Sequence, residues 1–346
     1  MTAELRVDLD RFRRNVRVVR ARMAPAEVLV VVKDDAYALG VDAIVTAALE
    51  AGATWFGALD PASALRAKQI AGERARVFVW LTLGADETEE ALRAGLELGI
   101  GDATYLERVS TASSVIGLPA TVHLKVDTGL HRNGVRPEDW PEVVARAVEL
   151  QRAGRIRVAG IWSHIAEASD AEDDTSRAVF DAAVDRARAA GLDPDVRHLA
   201  ASAAAWHRPE FRYDLVRVGA FCYGVRSAEG PELAGIEPIA TLAARVVGVS
   251  PGRATIDVGA ADGVLSTLAG RVQVATPAGP RLLLRVGPFD ADVEAWDGAH
   301  VGDDVMIFGA PGEGVPSTTD LGEAAGTVGE EPLLRVSPLI PRVYSG

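Results

Sequence analysis

Apolar residues in this chain come mostly in short continuous runs, and β-branched side chains dominate them. Such runs fall at Val28–Val32, Thr54–Ala58, Val77–Leu81, Leu96–Ile100, Thr121–Val126, Val158–Ser163, Val196–Leu199 and Leu215–Val218. A short apolar run without alternation is the pattern of a strand buried on both faces, as in a parallel sheet. Between most of them lie amphipathic stretches, among them Ala43–Ala51, Ala62–Ala71, Glu142–Ala153 and Ser176–Ala190. Asp60-Pro61 supplies a start signal for the second of these, a capping carboxylate followed by proline at the first helical position. Gly52, Gly72, Gly154 and Gly191 stand where helices should end, and glycine takes the left-handed conformation of a helix terminus without steric cost. Eight strands alternating with helices predict an α/β fold, a (β/α)8 TIM-like barrel, with a doubly wound open sheet as the weaker alternative.

Beyond about residue 232 the pattern changes. Val246–Val249, Ala254–Val258, Arg271–Val274, Leu282–Val286 and Asp304–Ile307 read as short strands separated by Gly/Pro turns. The expected organisation is a barrel over residues 1–231 and a C-terminal all-β domain over 232–346. Gly312-Glu313-Gly314, between Pro311 and Pro316, reads as a surface loop.

Composition narrows the classes. Asp and Glu number 49 against 36 Lys and Arg, a net charge of −13. That argues against a nucleic-acid partner, which needs clustered positive charge. No run of eighteen apolar residues suggests a membrane span. The single cysteine, Cys222, cannot form an intramolecular disulfide, so a reducing cytoplasm is the expected location.

In a barrel of this kind chemistry collects at the carboxyl ends of the strands. Those positions hold Lys33, Lys125, His164, Ser202 and Arg217. Lys33 closes the run Val28-Leu29-Val30-Val31-Val32, where burial should lower its pKa and make the amine nucleophilic. A lysine that merely reaches solvent at a strand end is the plainer reading of that residue alone. The surrounding segments decide between the two.

Val31-Val32-Lys33-Asp34-Asp35-Ala36-Tyr37-Ala38-Leu39-Gly40 resembles the VVKADAYGHG signature of the alanine racemase family, fold type III of the pyridoxal-phosphate enzymes. Leu124-Lys125-Val126-Asp127-Thr128-Gly129-Leu130-His131-Arg132-Asn133-Gly134-Val135 is similar to the family's LKxDTGMxRxGV. Ser163-His164, His198-Leu199-Ala200-Ala201-Ser202, and Asp214-Leu215-Val216-Arg217-Val218-Gly219 with Tyr223-Gly224 resemble its THF, HxANS and DxVRPG…YG segments. The likeness runs in order to Pro341-Arg342-Val343-Tyr344.

The resemblance implies pyridoxal 5'-phosphate as cofactor, held by Lys33 as a Schiff base, with the amine as covalent catalyst and the cofactor as electron sink. Tyr37 and Ser202 would donate hydrogen bonds to its phosphate, with backbone amides near Ser202 and at Gly219 and Ala220. His164 would pack on the ring. Arg217 would face the pyridine nitrogen and, being unable to give up a proton there, would keep it unprotonated. Arg132, and Lys125 at even odds with a surface ion pair, would hold the phenolic oxygen or a substrate carboxylate. A head-to-tail homodimer is implied too, since the family builds each site from both chains.

Apart from Asp34, Ala38 and Leu39 in the first motif, the departures lie almost entirely in the C-terminal part. Val258-Gly259-Ala260-Ala261-Asp262-Gly263 stands for the family's VGYxDG, with Ala260 in place of the tyrosine that serves as second acid/base. Arg285-Val286-Gly287-Pro288-Phe289-Asp290 replaces RVxMD, and Pro288 has no N–H to offer a substrate carboxylate. Gly326-Thr327-Val328-Gly329-Glu330-Glu331 replaces GTxxYE, with Glu330 at the tyrosine's place. No P-loop, HExxH or zinc spacing competes, so a metal is not expected, and His123, His207 and His300 have no evident partners. Three functions remain open: an amino-acid racemase for alanine or another small amino acid, with Asp262, Asp290 or water as substitute base; a cofactor-binding protein without racemase activity; or a one-base reaction on another amino acid.

Overall fold

The computed structural model describes residues 3–167, 169–199, 202–228, 230, 232–309 and 314–346. Its strands are β1 (Glu4–Asp8), β2 (Glu27–Val31), β3 (Trp55–Ala58), β4 (Arg76–Val79), β5 (Glu97–Ile100), β6 (Ala120–Lys125), β7 (Ile156–Trp162), β8 (Val196–His198) and β9 (Leu215–Val218). They continue with β10 (Ala240–Ser250), β11 (Arg253–Ile256), β12 (Gln273–Thr276), β13 (Gly279–Val286), β14 (Ala291–Glu294), β15 (Asp304–Phe308) and β16 (Arg342–Ser345). The chain divides into two compact units, one of residues 19–34 and 52–219, the other of residues 1–18, 35–51 and 220–346.

The first unit holds an eight-stranded parallel sheet in the order β8-β7-β6-β5-β4-β3-β2-β9. Asp214 closes it: its amide donates to Arg197 O on β8 at 3.2 Å, and its carboxylate accepts from Arg197 N and Nε at 2.9 and 2.7 Å. This is the expected TIM-like barrel, and each expected strand lies within two residues of an observed one. The helices form for the anticipated reasons. Asp60 accepts from Ser63 N at 2.7 Å ahead of Pro61–Ala71, and Asp102 accepts from Tyr105 N at 2.7 Å ahead of Ala103–Ile116. Each satisfies an amide that the first turn leaves open.

The barrel interior is aromatic and imidazole-rich. Trp162 stacks on His198 with ring centroids 5.6 Å apart and planes within 6°, while Phe78 meets Trp162 edge-on at 5.1 Å. Rings of this size need room. At Gly160 an added Cβ would lie 2.2 Å from His123 Nδ1, and at Gly99 2.7 Å from Trp162.

The second unit is built on the order β11-β14-β13-β12-β15-β10-β1-β16, with β11 pairing back to β10. It carries the expected C-terminal strands, together with helices Thr318–Ala325 and Glu330–Leu334. Two of its strands lie at the chain's ends, where no strand is read from sequence: β1, antiparallel to β10, and β16, parallel to β1. Residues 311–313 of the expected loop at 311–316 lie outside the described residues. Among the described residues no helix is long and apolar enough to cross a membrane.

Candidate active site

At the carboxyl ends of the barrel strands, positive charge gathers around one imidazole. His164 follows β7, and burial drives its pKa well down, with Arg217, Lys125, Arg132 and Lys33 adding to the depression by charge repulsion. His164 is therefore neutral. Its Nε2 accepts a long 3.4 Å hydrogen bond from Trp80 Nε1, and its buried Nδ1 has no partner among the described residues. A buried nitrogen without a partner inside a ring of cations is the surface an anionic, hydrogen-bonding ligand would complete.

Arg217 on β9 is buried. Its guanidinium donates to the carbonyls of Ser163, His198 and Leu199 at 2.7, 3.0 and 3.0 Å, and to His198 Nδ1 at 3.0 Å. Burial lowers its pKa to about 9, with Arg132 pushing the same way and Glu167 opposing. Among the described residues no carboxylate pairs with it directly.

Lys125 ends β6 and lies 4.5 Å from the Trp162 ring centre. It is buried, and burial, Arg217 and Arg132 together bring its pKa down to about 7. The buried, depressed lysine anticipated at Lys33 is thus found at Lys125. The Lys33 side chain is 38% exposed, with Nζ 4.0 Å from Asp34 Oδ2. It opens a turn beyond β2 instead of ending inside the sheet, which corrects the expectation of burial.

That turn is left-handed. Asp34, Asp35, Ala36, Tyr37 and Ala38 all have φ between 53° and 61°. Each such L-residue costs roughly 1–2 kcal/mol against the right-handed form, so the conformation must be held from outside the segment. Asp35 Oδ1 accepts from Val41 N at 2.8 Å. From β16, Arg342 Nε donates to Ala38 O at 3.0 Å and the Tyr344 hydroxyl donates to Leu39 O at 2.9 Å. Gly40 is required twice over: its φ is 89°, and a Cβ would meet the Tyr344 hydroxyl at 2.2 Å.

Of the anticipated site residues, Lys33, Lys125, Arg132, His164 and Arg217 come together in the first unit. Ser202 opens the short helix Ser202–His207, and Gly219 follows β9, both in that same unit. Tyr37 and Ala220 belong to the second unit, where the Tyr37 ring lies 4.6 Å from that of Tyr223. Ala200 and Ala201, between His198 and Ser202, lie outside the described residues.

Two acids were missed by the sequence reading. Glu167 accepts from Ala204 N at 2.8 Å, and burial raises its pKa, with Asp173 adding to the rise. Glu97 sits at the start of β5 and accepts from His123 Nε2 at 2.7 Å, so His123 does have a partner. The signal for Glu97 was a lone carboxylate within Leu96-Glu97-Leu98-Gly99-Ile100; for Glu167 there was none.

Comparison with known proteins decides what this geometry belongs to. Residues 7–227 match the model of the alanine racemase N-terminal domain. An alanine racemase of Beutenbergia cavernae is 38% identical, covering 98% of this chain and 97% of its own length; one from Thermobifida fusca is 35% identical, covering 99% and 98%. The crystal structure of alanine racemase from D-cycloserine-producing Streptomyces lavendulae superimposes with a TM-score of 0.93 at 34% identity, covering 99% of this chain and 97% of that one.

The chain belongs to the alanine racemase family.

Where its sequence departs from the family motifs, the second unit has a definite local structure. Ala260 is exposed and starts a one-turn 3-10 helix, Ala260–Asp262. Its amide donates to Gly287 O at 2.8 Å, and that of Ala261 donates to Pro288 O at 2.8 Å. The turn at 259–263 is thereby laced to the loop at 287–290. The space is tight, since a Cβ on Gly259 would lie 2.5 Å from Gly287 O. Asp262 is buried and accepts from Gly259 N at 2.9 Å, closing its own turn. Asp290 accepts from Arg285 at 2.9 Å. Glu330 opens the helix Glu330–Leu334. In this alanine racemase relative both carboxylates offered as substitute bases are therefore already engaged.

Proposed function

We propose that this chain is a pyridoxal-phosphate-dependent amino-acid racemase of the alanine racemase type, acting on alanine or another small amino acid, with its second acid/base altered. The observation that carries this is the convergence of Lys33, Lys125, Arg132 and Arg217 on the neutral, half-partnered His164. The donor set suits the cofactor, an anionic aromatic ring with a phosphate and a phenolic oxygen. When bound, pyridoxal phosphate supplies an electron sink for the α-carbon of the amino acid.

The chain's own residues do the rest. Lys33 is the attachment point and moves the proton on one face of the α-carbon. Arg217 would face the ring nitrogen as a donor that keeps its proton, which would limit the sink and favour proton exchange over side reactions. His164, kept neutral, packs on the ring, and Arg132 with Lys125 faces the negative oxygens. Tyr37, Ser202 and the backbone at Gly219 and Ala220 take the phosphate. This division assigns cofactor binding to residues 1–231 and the site entrance and dimer contact to 232–346. The assembly is a head-to-tail homodimer, testable by light scattering.

Racemisation also needs a proton donor on the opposite face. The Ala260 methyl carries none, and Asp262 and Asp290 are occupied. That favours a second reading, a cofactor-binding protein or a one-base enzyme. Adding pyridoxal phosphate should produce the absorption band of the lysine-bound cofactor; a folded protein without it contradicts both readings. Incubation with L- and D-alanine in deuterated water then separates them. Exchange with inversion supports the racemase, exchange with retention supports one-base chemistry, and no exchange supports the binding role.

A further inference from the structure

The barrel interior contains a hydrogen-bonded chain of four side chains that runs from its floor to Arg217. Glu97 is the first residue of β5, at the amino-terminal end of the sheet, beside a cavity of about 540 Å³ lined by Glu27, Lys68, Arg74 and Arg76 among others. Arg76 pairs with the Glu97 carboxylate through both Nε and Nη2. Glu97 Oε2, which accepts from Arg76 Nη2, also lies 2.7 Å from His123 Nε2. His123 Nδ1 lies 2.8 Å from His198 Nε2, and His198 Nδ1 lies 3.0 Å from Arg217.

The chemistry of the two ends fixes the direction of every bond between them. A guanidinium only donates, and a carboxylate only accepts. Burial lowers the pKa of both imidazoles, and each is neutral, with one donor and one acceptor nitrogen. His198 must accept from Arg217 on Nδ1, so its proton is on Nε2. That proton goes to His123 Nδ1, so His123 also carries its proton on Nε2 and gives it to Glu97. One arrangement satisfies all four groups, and its bonds all point the same way, the condition under which they polarise one another.

The backbone is shaped to permit this. The pairing of β6 with β7 shifts register between Val122 and His123, and the irregularity sets His123 opposite Gly160. Only a glycine leaves space there, since a Cβ would lie 2.2 Å from His123 Nδ1. A bulge that re-aims one side chain, beside a glycine that makes room for it, marks a built feature.

We propose that Glu97 is a positioning residue for Arg217, acting through His123 and His198 to fix the direction of the guanidinium's hydrogen bonds. This rests on the reading of Arg217 as partner of the cofactor's ring nitrogen. With this chain of aligned hydrogen bonds in place Arg217 is a moderate donor. Without it Arg217 donates more strongly, the ring becomes a deeper electron sink, and side reactions compete with proton return.

The test has two arms. In the cofactor-free protein, ¹⁵N NMR of labelled histidine should show His123 and His198 both neutral with the proton on Nε2. A proton on Nδ1 of either ring overturns the chain, whatever the protein binds. In the cofactor-loaded protein, E97Q and H123L should shift the absorption maximum of the bound cofactor. Both should raise the keto acid released per α-proton exchanged severalfold, while wild type releases little. If both variants fold, bind cofactor and match wild type in both readouts, the positioning role is overturned. Wild type with the expected tautomers but no bound cofactor overturns the functional reading and leaves the polarity of the chain supported.

Discussion

At the mouth of the barrel Arg217, Lys125, Arg132 and Lys33 act on a neutral histidine, and the buried Arg217 has no carboxylate partner among the described residues. In the paired turns at 259–263 and 287–290 each acid already has a donor, Asp262 from Gly259 N and Asp290 from Arg285. The first region holds unspent hydrogen-bonding and charge, which is what a ligand exploits. The second has settled its polar groups internally, and at Ala260, where the motif resemblance would put a tyrosine, it presents an exposed methyl. A site that seats a ligand and a site that completes a two-faced proton transfer make different demands, and here they have diverged within one chain.

The hardest way to break that comparison is to remove the anchor. Lys33→Ala should abolish the band of the lysine-bound cofactor and lower α-proton exchange by more than about a thousandfold, since the only titratable group proposed for the first face is gone. Residual exchange within tenfold of wild type would move the chemistry elsewhere. The complementary change sharpens the other half. Ala260→Tyr restores a phenol at an exposed position, so it should cost little stability. It should raise racemisation, followed as inversion in deuterated water, by about two to four orders of magnitude. No gain would mean that the second base already exists in wild type.

How much of this was legible in the sequence depends on the range of the interactions. The eight barrel strands were readable because burial on both faces leaves an unbroken apolar run. β1 was not, since Glu4-Leu5-Arg6-Val7-Asp8 alternates over only five residues. β16 hides in the same way, with Arg342 and Tyr344 turned to backbone carbonyls and not to a core. The Lys33 segment stood out as a motif, yet its exposure did not follow from its neighbours, because a left-handed turn of five non-glycine residues is set by β16, some three hundred positions away. His123 looked solitary for a related reason. Its partners lie on β5 and β8, and a register shift plus Gly160 are needed to aim it at them.

Acid should separate the barrel from its surroundings. Burial pushes the Glu97 carboxyl up, but the hydrogen bonds from His123 and Arg76 outweigh it and hold the pKa at about 2, below the ordinary 4.5. A folded-state pKa lower than the unfolded one gives stability that is present above about pH 4.5 and lost as pH falls toward 2. For a group this buried the contribution is about 3 kcal/mol at most. Urea titrations between pH 5 and 2 should therefore show wild type losing stability more steeply than E97Q, whose amide does not titrate. Parallel slopes would place the acid sensitivity elsewhere.

The smallest expected effect bears on the anchor again. The turn after Lys33 is costly residue by residue, and Arg342 and Tyr344 each satisfy one of its carbonyls. Tyr344→Phe removes one hydrogen bond and should cost about 1 kcal/mol. Gly40→Ala should cost more, because it strains a residue at φ 89° and drives a methyl into the Tyr344 hydroxyl. Hydrogen exchange resolves the two regions independently. Amides 34–41 should exchange faster in Tyr344→Phe while those of β5 and β6 stay protected, and covalent capture of cofactor by Lys33 should slow in step with the loosening. If exchange at 34–41 rises and capture does not slow, the left-handed turn is a structural device of the second unit, and the placement of Lys33 is set by β2 alone.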